Sequence, residues 1–363
     1  MSTVIRTLRL RVKDKHAKVL SKWAYEVNQV WNAANALSAE YAWIPIPGVG
    51  FISGNVSEFD LQKELKTIRV ERNLTIGAAT VQSVIANHAK ARKQFSKNKL
   101  RWRCSGGAKR ALGWVPFKAA GIQYINGQIR FCGKFFSLWD SYNLSNYDLS
   151  TGAFSQDARG RWYFNVTVKV EVKPSIGKTA IGIDLGLKDT ATCSDGVKLE
   201  RKAHYRSLEA KLGIAQRANK QGMVKTIHAR IKHQRKDDLH KFSTQLAKQY
   251  GAIFVGDVSS SKLAKTKMAK SVLDAGWFML KTQLKYKSMG MSVVFEEVNE
   301  RNTTRMCSQC LVIPSTSPQG VGALEIRKWT CAECGTLHDR DVNAAKNILR
   351  LGHQSLVGGI PLL

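Results

Sequence analysis

Cys307-Ser308-Gln309-Cys310 and, some twenty residues on, Cys331-Ala332-Glu333-Cys334 lead into His338-Asp339-Arg340-Asp341-Val342-Asn343-Ala344-Ala345-Lys346-Asn347. Two C-x-x-C pairs at this separation match the way two knuckles wrap one zinc ion in a tetrahedral four-thiolate site. Disulfides would need an oxidising compartment. Nothing marks the chain as secreted, and the other cysteines, Cys104, Cys132 and Cys193, stand singly. The spacing therefore predicts a structural zinc held by Cys307, Cys310, Cys331 and Cys334. Past the second knuckle, Val342, Ala345, Ile348 and Leu349 recur at helical spacing and predict a helix with Asp341 in its first turn. An aspartate there can simply complement the helix dipole, or it can bring carboxylate chemistry beside the metal. The rest of the chain has to decide.

At 363 residues the chain is long enough for two or three domains. Fifty-seven basic residues against twenty-seven acidic give a formal charge of +30 and call for a polyanionic partner. Nucleic acid is the first candidate and an anionic membrane surface the second. No apolar run approaches the roughly eighteen residues that span a bilayer, and Met1-Ser2-Thr3-Val4-Ile5-Arg6 is no signal peptide. A reduced, cytosolic location is expected, with no membrane partner. Cations interleave with aromatics, as in Arg101-Trp102-Arg103 and Arg159-Gly160-Arg161-Trp162-Tyr163-Phe164, a pattern suited to a nucleic-acid channel.

Val4 to Val12 alternates as a strand, and Lys18 to about Tyr41 carries Val19, Leu20, Trp23, Val27, Val30, Trp31 and Ala34 at helical spacing, with the tryptophan stripe read as core. Pro45-Ile46-Pro47-Gly48-Val49-Gly50 breaks this helix. Two further helices are expected, from Ser57 and from Thr75 to Phe95. They are followed by a basic ridge of Lys90, Arg92, Lys93, Lys97, Lys99, Arg101 and Arg103 suited to phosphates. Between Trp114 and Val172 short alternating runs separated by turns predict an antiparallel barrel completed by the N-terminal strand, the helical region being an insertion into it. Pro174-Ser175-Ile176-Gly177 marks a boundary.

The second half opens with Ala180-Ile181-Gly182-Ile183-Asp184-Leu185-Gly186-Leu187, a strand whose isoleucines and leucines share one side while Asp184 points to the other. Such an aspartate fits either the metal site of a ribonuclease H-like nuclease or the phosphate loop of an actin-like ATPase. A hairpin, a long basic helical segment from Tyr205 to Tyr250, a strand at Gly251 to Val258, a helix from Ala269 to Met289 and a strand at Ser292 to Val298 follow. This is the order of an α/β sheet that would bring Asp184 and Asp341 to one end.

Gly182-Ile183-Asp184-Leu185-Gly186, Arg235-Lys236-Asp237-Asp238-Leu239-His240-Lys241, Thr303-Thr304-Arg305-Met306-Cys307-Ser308-Gln309-Cys310 and Asp339-Arg340-Asp341-Val342-Asn343-Ala344-Ala345-Lys346-Asn347-Ile348 together resemble the TnpB (OrfB-type) transposon family, relatives of the type V CRISPR effectors. The resemblance is dense from Ile181 to about Leu351. In the N-terminal half it is looser, resting on Trp114-Val115-Pro116-Phe117-Lys118 and the order of elements. It implies a multidomain α+β protein. A wedge β-barrel would take residues 1–14 and 104–174, a helical recognition domain 15–103, a RuvC-type, ribonuclease H-like nuclease domain 175–300 and 338–363, and a zinc ribbon binding target nucleic acid 301–337. It further implies a transposon-encoded endonuclease that is guided by RNA from the transposon end and cuts double-stranded DNA beside a transposon-adjacent motif in the prokaryotic cytosol, at the nucleoid. In such a site two magnesium ions about 4 Å apart act on the phosphodiester, and hard cations of this kind need oxygen ligands. Asp184 matches the first catalytic aspartate and Asp341 the last.

The middle position departs from the family. Where a glutamate is usual, at the end of the third core strand, stand Gly256 and Asp257. Either the carboxylate has moved to the neighbouring strand, which ends in Glu296, Glu297 and, just beyond, Glu300, or cleavage is impaired and the chain is an RNA-guided DNA-binding repressor. Adjacent strands lie about 5 Å apart, a gap a glutamate can cover. Alternation puts Glu297 with Val293 and Phe295, and Glu296 with Val294 and Val298, without fixing which face meets the metals. Glu297 is the first choice and Glu300 the second, so the expected catalytic set is Asp184, Glu297, Glu300 and Asp341, with Asp184, Glu297 and Asp341 on magnesium. The ATPase alternative lacks a second glycine-rich phosphate loop and leaves the zinc ribbon and the charge without a use.

Overall fold

The computed structural model describes residues 3–41, 44–46, 50–52, 56–319, 323 and 325–358. Pro47, Gly48 and Val49 of the predicted helix breaker lie outside them. The chain forms two compact units, Ile5–Val170 and Met1–Val4 with Glu171–Leu363. No described helix is long and apolar enough to cross a membrane.

In the first unit, β1 (Thr3–Val12) leads into α1 (Ala17–Glu40). A short hairpin, β2 (Ile44–Ile46) and β3 (Gly50–Ile52), follows, then α2 (Glu58–Glu64), α3 (Ile68–Glu71) and α4 (Ala78–Phe95). Ser57 starts α2 with a capping box, its hydroxyl accepting from the Asp60 amide while the Asp60 carboxylate answers the Ser57 amide. The strands β4 (Trp114–Phe117), β5 (Ile122–Ile125), β6 (Gln128–Phe131), β7 (Lys134–Trp139), β8 (Leu149–Gln156) and β9 (Trp162–Glu171) join β1 in a nearly closed sheet of order β4-β8-β9-β1-β7-β6-β5. Inward positions place Phe117, Phe131, Phe136, Phe154 and Phe164 in one aromatic core, with Phe117 stacked on Phe164 at 5.2 Å. Trp23 of α1 plugs this core edge-on to Phe131, so the tryptophan of the helical stripe is core.

Two cations of the expected basic ridge are structural. Arg92 is buried and donates to the Ser38 hydroxyl and the Val56 carbonyl. The Arg103 guanidinium donates to the Asn28 side chain and the Leu112 carbonyl. Burying a guanidinium needs such partners, which the sequence pattern could not show.

In the second unit β10 (Ala180–Asp184), β11 (Asp189–Cys193) and β12 (Lys198–Glu200) form a meander, followed by α5 (Arg206–Arg217), α6 (Gln221–Gln249), β13 (Ala252–Gly256), α7 (Ser260–Leu263), α8 (Ala269–Ala275), α9 (Trp277–Gly290) and β14 (Val294–Val298). The five-stranded sheet has the order β12-β11-β10-β13-β14, with β13 parallel to both β10 and β14. The helix expected over Ala269 to Met289 is two helices. Gly276 breaks it at φ +72°, where a Cβ would press on the Arg235 side chain 2.8 Å away. One sheet face, with Ile181, Ile183, Ile253, Val255 and Val293, packs on Leu239, Phe242 and Leu246 of α6 and on Leu280 and Leu284 of α9. The ribbon strands β15 (Lys328–Thr330) and β16 (Leu337–Asp339) pair antiparallel and run straight into α10 (Arg340–Gly358), which covers the other face through Ile348 and Leu349 against Phe254 and Val298.

Candidate active site

Gly182 lets α10 lie directly on β10, since a Cβ there would strike the Ala345 carbonyl and the Leu349 backbone. Strand and helix run in opposite senses, so with Gly182 at Ala345 the strand's end, Asp184, comes to the helix's start, Asp341. The dipole explanation of Asp341 loses its force here. Asp339 does the capping, accepting the Asp341 and Val342 amides at 3.0 and 3.1 Å on one oxygen while the other takes Lys198 Nζ at 3.0 Å. Asp341 instead faces Asp184 and carries Arg327, whose Nη1 lies 3.2 and 3.3 Å from its two oxygens.

Burial first, then the charges of Asp341 and Glu300, push the Asp184 carboxyl up to about 8, against the pull of Arg340 and Arg327. Burial and Asp257 also raise Glu300, which Lys281 partly offsets. The Glu300 carboxylate lies beside Gly256. A side chain built on Gly256 would run into the Glu300 carboxylate, with Ile348 Cδ1 at 3.3 Å.

Register explains which glutamate arrives. Phe254 pairs with Glu296 and Gly256 with Val298, and Phe254 and Val298 face α10. Even-numbered positions of this strand therefore look toward Asp184 and Asp341, and Glu300 continues that series. Glu296 also points to α10, where it accepts from the Ser355 hydroxyl. Glu297, the first choice from sequence, is turned to the opposite face and paired with Lys281 of α9 at 2.7 Å. The structure thus brings Asp184, Glu300 and Asp341 together and leaves Glu297 out. All-oxygen donors of this kind suit a hard divalent cation.

The four cysteines do gather. Their sulfurs lie within 4.8 Å of one another, and among the described residues they are the one group of three or more Cys, His, Asp or Glu drawn closely enough to hold an ion as they stand. Cys307 and Cys334 sulfurs are 3.6 Å apart, and Cys310 and Cys331 sulfurs 3.7 Å. Sulfurs about 2.3 Å from a central zinc in a tetrahedron would be about 3.8 Å apart, so the set fits zinc with little movement. Each knuckle turns on a left-handed residue after its second cysteine, Leu311 at φ 63° and Gly335 at φ 70°. His338 Nε2 sits 3.0 Å from the Cys307 sulfur, a contact from outside the ligand set. The Asp184, Glu300 and Asp341 carboxylates stand further apart, as like charges do, with Arg327 as counter-charge on Asp341.

Sequence reasoning missed Arg327, the capping Asp339, and Asn343 and Asn347. The asparagines had a signal, two short amides at i and i+4 on an apolar helix face.

Residues 277–348 match the family model Cas12f1-like TNB domain, and residues 163–267 match OrfB_IS605, a probable transposase. The "Putative RNA-guided DNA endonuclease" of Streptomyces pristinaespiralis is 29% identical over 331 residues, covering 85% of this chain and 75% of that protein. InsQ of Escherichia coli K12, of the same designation, is 27% identical over 230 residues, covering 55% of this chain and 56% of its own length. Among solved structures, the Cas12f1 chain of a cryo-EM Cas12f1-sgRNA-target DNA complex superposes with TM-score 0.58 at 12% identity, covering 95% of this chain and 98% of that one. Both family models and the curated relatives meet the resemblance carried by the motifs: the chain is similar to TnpB-like, OrfB-type proteins and has a Cas12f-like fold.

Proposed function

We propose that this chain is a transposon-encoded, RNA-guided DNA endonuclease. It would pair its guide with double-stranded DNA, cut beside a transposon-adjacent motif, and use Asp184, Glu300 and Asp341 as the carboxylates of a RuvC-type site. The observation that carries the reading is the Glu300 carboxylate standing in the space of a Gly256 side chain, beside Asp184 and Asp341. It restores a third acid to a cluster the sequence leaves short. The names of the curated relatives and the +30 charge support the partners, guide RNA and target DNA.

On this reading the three carboxylates hold two Mg2+ ions, which when bound supply an activated water and a counter-charge for the leaving 3′ oxygen. Cations bound there would favour the ionised Asp184 carboxyl, which burial first and the neighbouring acids next hold protonated. Arg327, 38% exposed at its side chain, offers a planar fork to a backbone phosphate once Asp341 is otherwise engaged. Cys307, Cys310, Cys331 and Cys334 hold zinc and so fold the ribbon. Residues 1–14 and 104–174 serve as wedge, 15–103 as recognition domain, 175–300 and 338–363 as nuclease and 301–337 as ribbon.

The test is plasmid cleavage by the full chain with its copurified, sequenced RNA, on a matched target in Mg2+. Cutting should be lost in Asp184→Ala, Glu300→Ala and Asp341→Ala and kept in Glu297→Ala. The glycine at position 256 favours a second reading, a guided repressor. Guide-dependent binding that leaves the plasmid intact would establish that reading and overturn the first.

A further inference from the structure

Asn343 and Asn347, each 1% exposed, lie one turn apart on α10 and aim at the same loop. Their amide nitrogens converge on two carbonyls. Asn343 Nδ2 donates to Thr303 O at 3.3 Å and Met306 O at 2.8 Å, and Asn347 Nδ2 to the same oxygens at 2.9 and 2.7 Å. Each carbonyl has two lone pairs, and both are used. Asn343 Oδ1 also accepts the Ser308 amide at 2.8 Å, immediately after Cys307. At the loop's other end, the Thr303 amide and hydroxyl donate to the Glu300 carbonyl at 3.2 and 2.8 Å. The asparagine pair therefore touches one segment that begins with a site carboxylate and ends with a zinc ligand, and it sits on the helix that begins with Asp341.

We infer that Asn343 and Asn347 are positioning residues that lock the Glu300 turn and the first cysteine knuckle to the Asp341 helix, coupling zinc retention to divalent-cation binding at the carboxylates. The inference rests on the nuclease reading for its metal site. The chemistry is specific to asparagine. Aspartate has no N–H to give, glutamine is a methylene too long for a packed helix–loop contact, and serine reaches one carbonyl at most.

The experiment uses the full chain with its copurified RNA and the variants Asn347→Ala, Asn343→Ser and Thr303→Val. Three readouts are taken: the Mg2+ concentration for half-maximal cleavage, Mn2+ binding by calorimetry, and the rate of zinc loss to a chelator. Removing an outer partner of a metal ligand weakens metal binding about 10- to 100-fold. Asn347→Ala and Asn343→Ser should therefore raise the Mg2+ requirement and the Mn2+ dissociation constant by about tenfold or more, with faster zinc loss and unchanged RNA binding. Thr303→Val, which removes the hydroxyl bond to the Glu300 carbonyl and keeps the amide bond, should shift the Mg2+ and Mn2+ curves and leave zinc loss alone. If the asparagine variants do not fold, the wild-type complex decides: coupling is reciprocal, so saturating Mn2+ should slow zinc loss to a zinc-selective chelator, and an unchanged rate overturns the coupling. Folded variants whose Mn2+ and zinc curves match the wild type overturn the coupling. A wild-type complex that never cuts its matched target refutes the nuclease reading instead, and the Mn2+ and zinc curves still decide the coupling.

Discussion

Helices α1 and α10 both turn a row of asparagines on an irregular segment, and they use the amide differently. On α1 the exchange is reciprocal. Asn35 accepts the Leu100 amide at 2.7 Å and returns a bond to the Leu100 carbonyl at 2.9 Å, and Asn32 does the same with Arg103 at 2.9 and 3.1 Å. Asn28 takes Arg103 Nε at 2.7 Å and gives to the Ser105 hydroxyl at 3.0 Å. A helix side chain here imitates the edge of a β-strand, satisfying backbone groups that burial would otherwise leave unpaired. On α10 the bonds converge, and the buried Asn347 Oδ1 has no protein partner. Reciprocal pairing holds a segment down, whereas convergent pairing fixes two carbonyls at one place. The first should show its loss in stability and the second in chemistry.

The largest effect falls on the α10 side. Asp341→Ala should lower cleavage by about a thousandfold or more, corresponding to about 4 kcal/mol of lost transition-state stabilisation, without lowering the melting temperature, because the change removes a carboxylate that repels Asp184. A melting temperature that falls with the rate would make Asp341 a structural residue and erase the contrast between the helices. Exchanging positions sharpens it. Glu300→Ala should abolish cutting, and Gly256→Glu added to it should restore part of the rate, as the new side chain enters the space Glu300 has left. Gly256→Glu alone should unsettle the site, having no room. A double variant as inactive as Glu300→Ala, folded and still binding its RNA, would count against the exchange.

Next comes the α1 side. Asn35→Ala removes the partner of the part-buried amide and carbonyl of Leu100, for a loss of about 1–2 kcal/mol, read from urea midpoints. Cleavage per folded molecule should be unchanged at temperatures below the new transition.

What could be read in advance follows the reach of each interaction. The Cys307–Cys310 and Cys331–Cys334 pairs and the alternation through Ile181, Ile183 and Leu185 are local patterns, and the zinc set and the strand that carries Asp184 followed from them. The asparagine ladder joins residues 35 or more apart in the chain, and the Arg327–Asp341 pair, 14 apart, has no spacing motif to announce it. Alternation gives two faces and no label for either, so it cannot choose between Glu297 and Glu300. The label comes from Phe254 packing on Gly352 and from the Gly256–Val298 register, which exist only once α10 is docked. Gly276 was passed over inside an otherwise helical run because the Arg235 side chain that forbids a Cβ there comes from another helix.

The last expected effect is a pH dependence whose Asp184 part belongs to the α10 side. Asp184 has its carboxyl raised from the ordinary carboxylate range to about 8. Between about pH 4 and about pH 8 the unfolded chain has lost that proton while the folded chain keeps it, so the folded state binds more protons and stability falls as pH rises. Below this window both states are protonated, and the residue contributes no slope. The melting temperature of chelator-treated protein, taken relative to that of Asp184→Asn, which has no proton to lose, should therefore decline across the window; the comparison removes the opposite slope of His88, which burial and Arg92 hold down to about 4. Mg2+ should raise the melting temperature more at the alkaline end than at the acid end, because binding there need not displace the proton. Asn35→Ala should lower the whole curve, and any change of slope it brings should belong to His88, whose Nε2 lies 3.4 Å from Asn35 Oδ1 and whose imidazole burial first and Arg92 next hold down to about 4. A slope that survives Asp184→Asn would place its origin elsewhere, and equal Mg2+ stabilisation at both ends would detach Asp184 from the metal site.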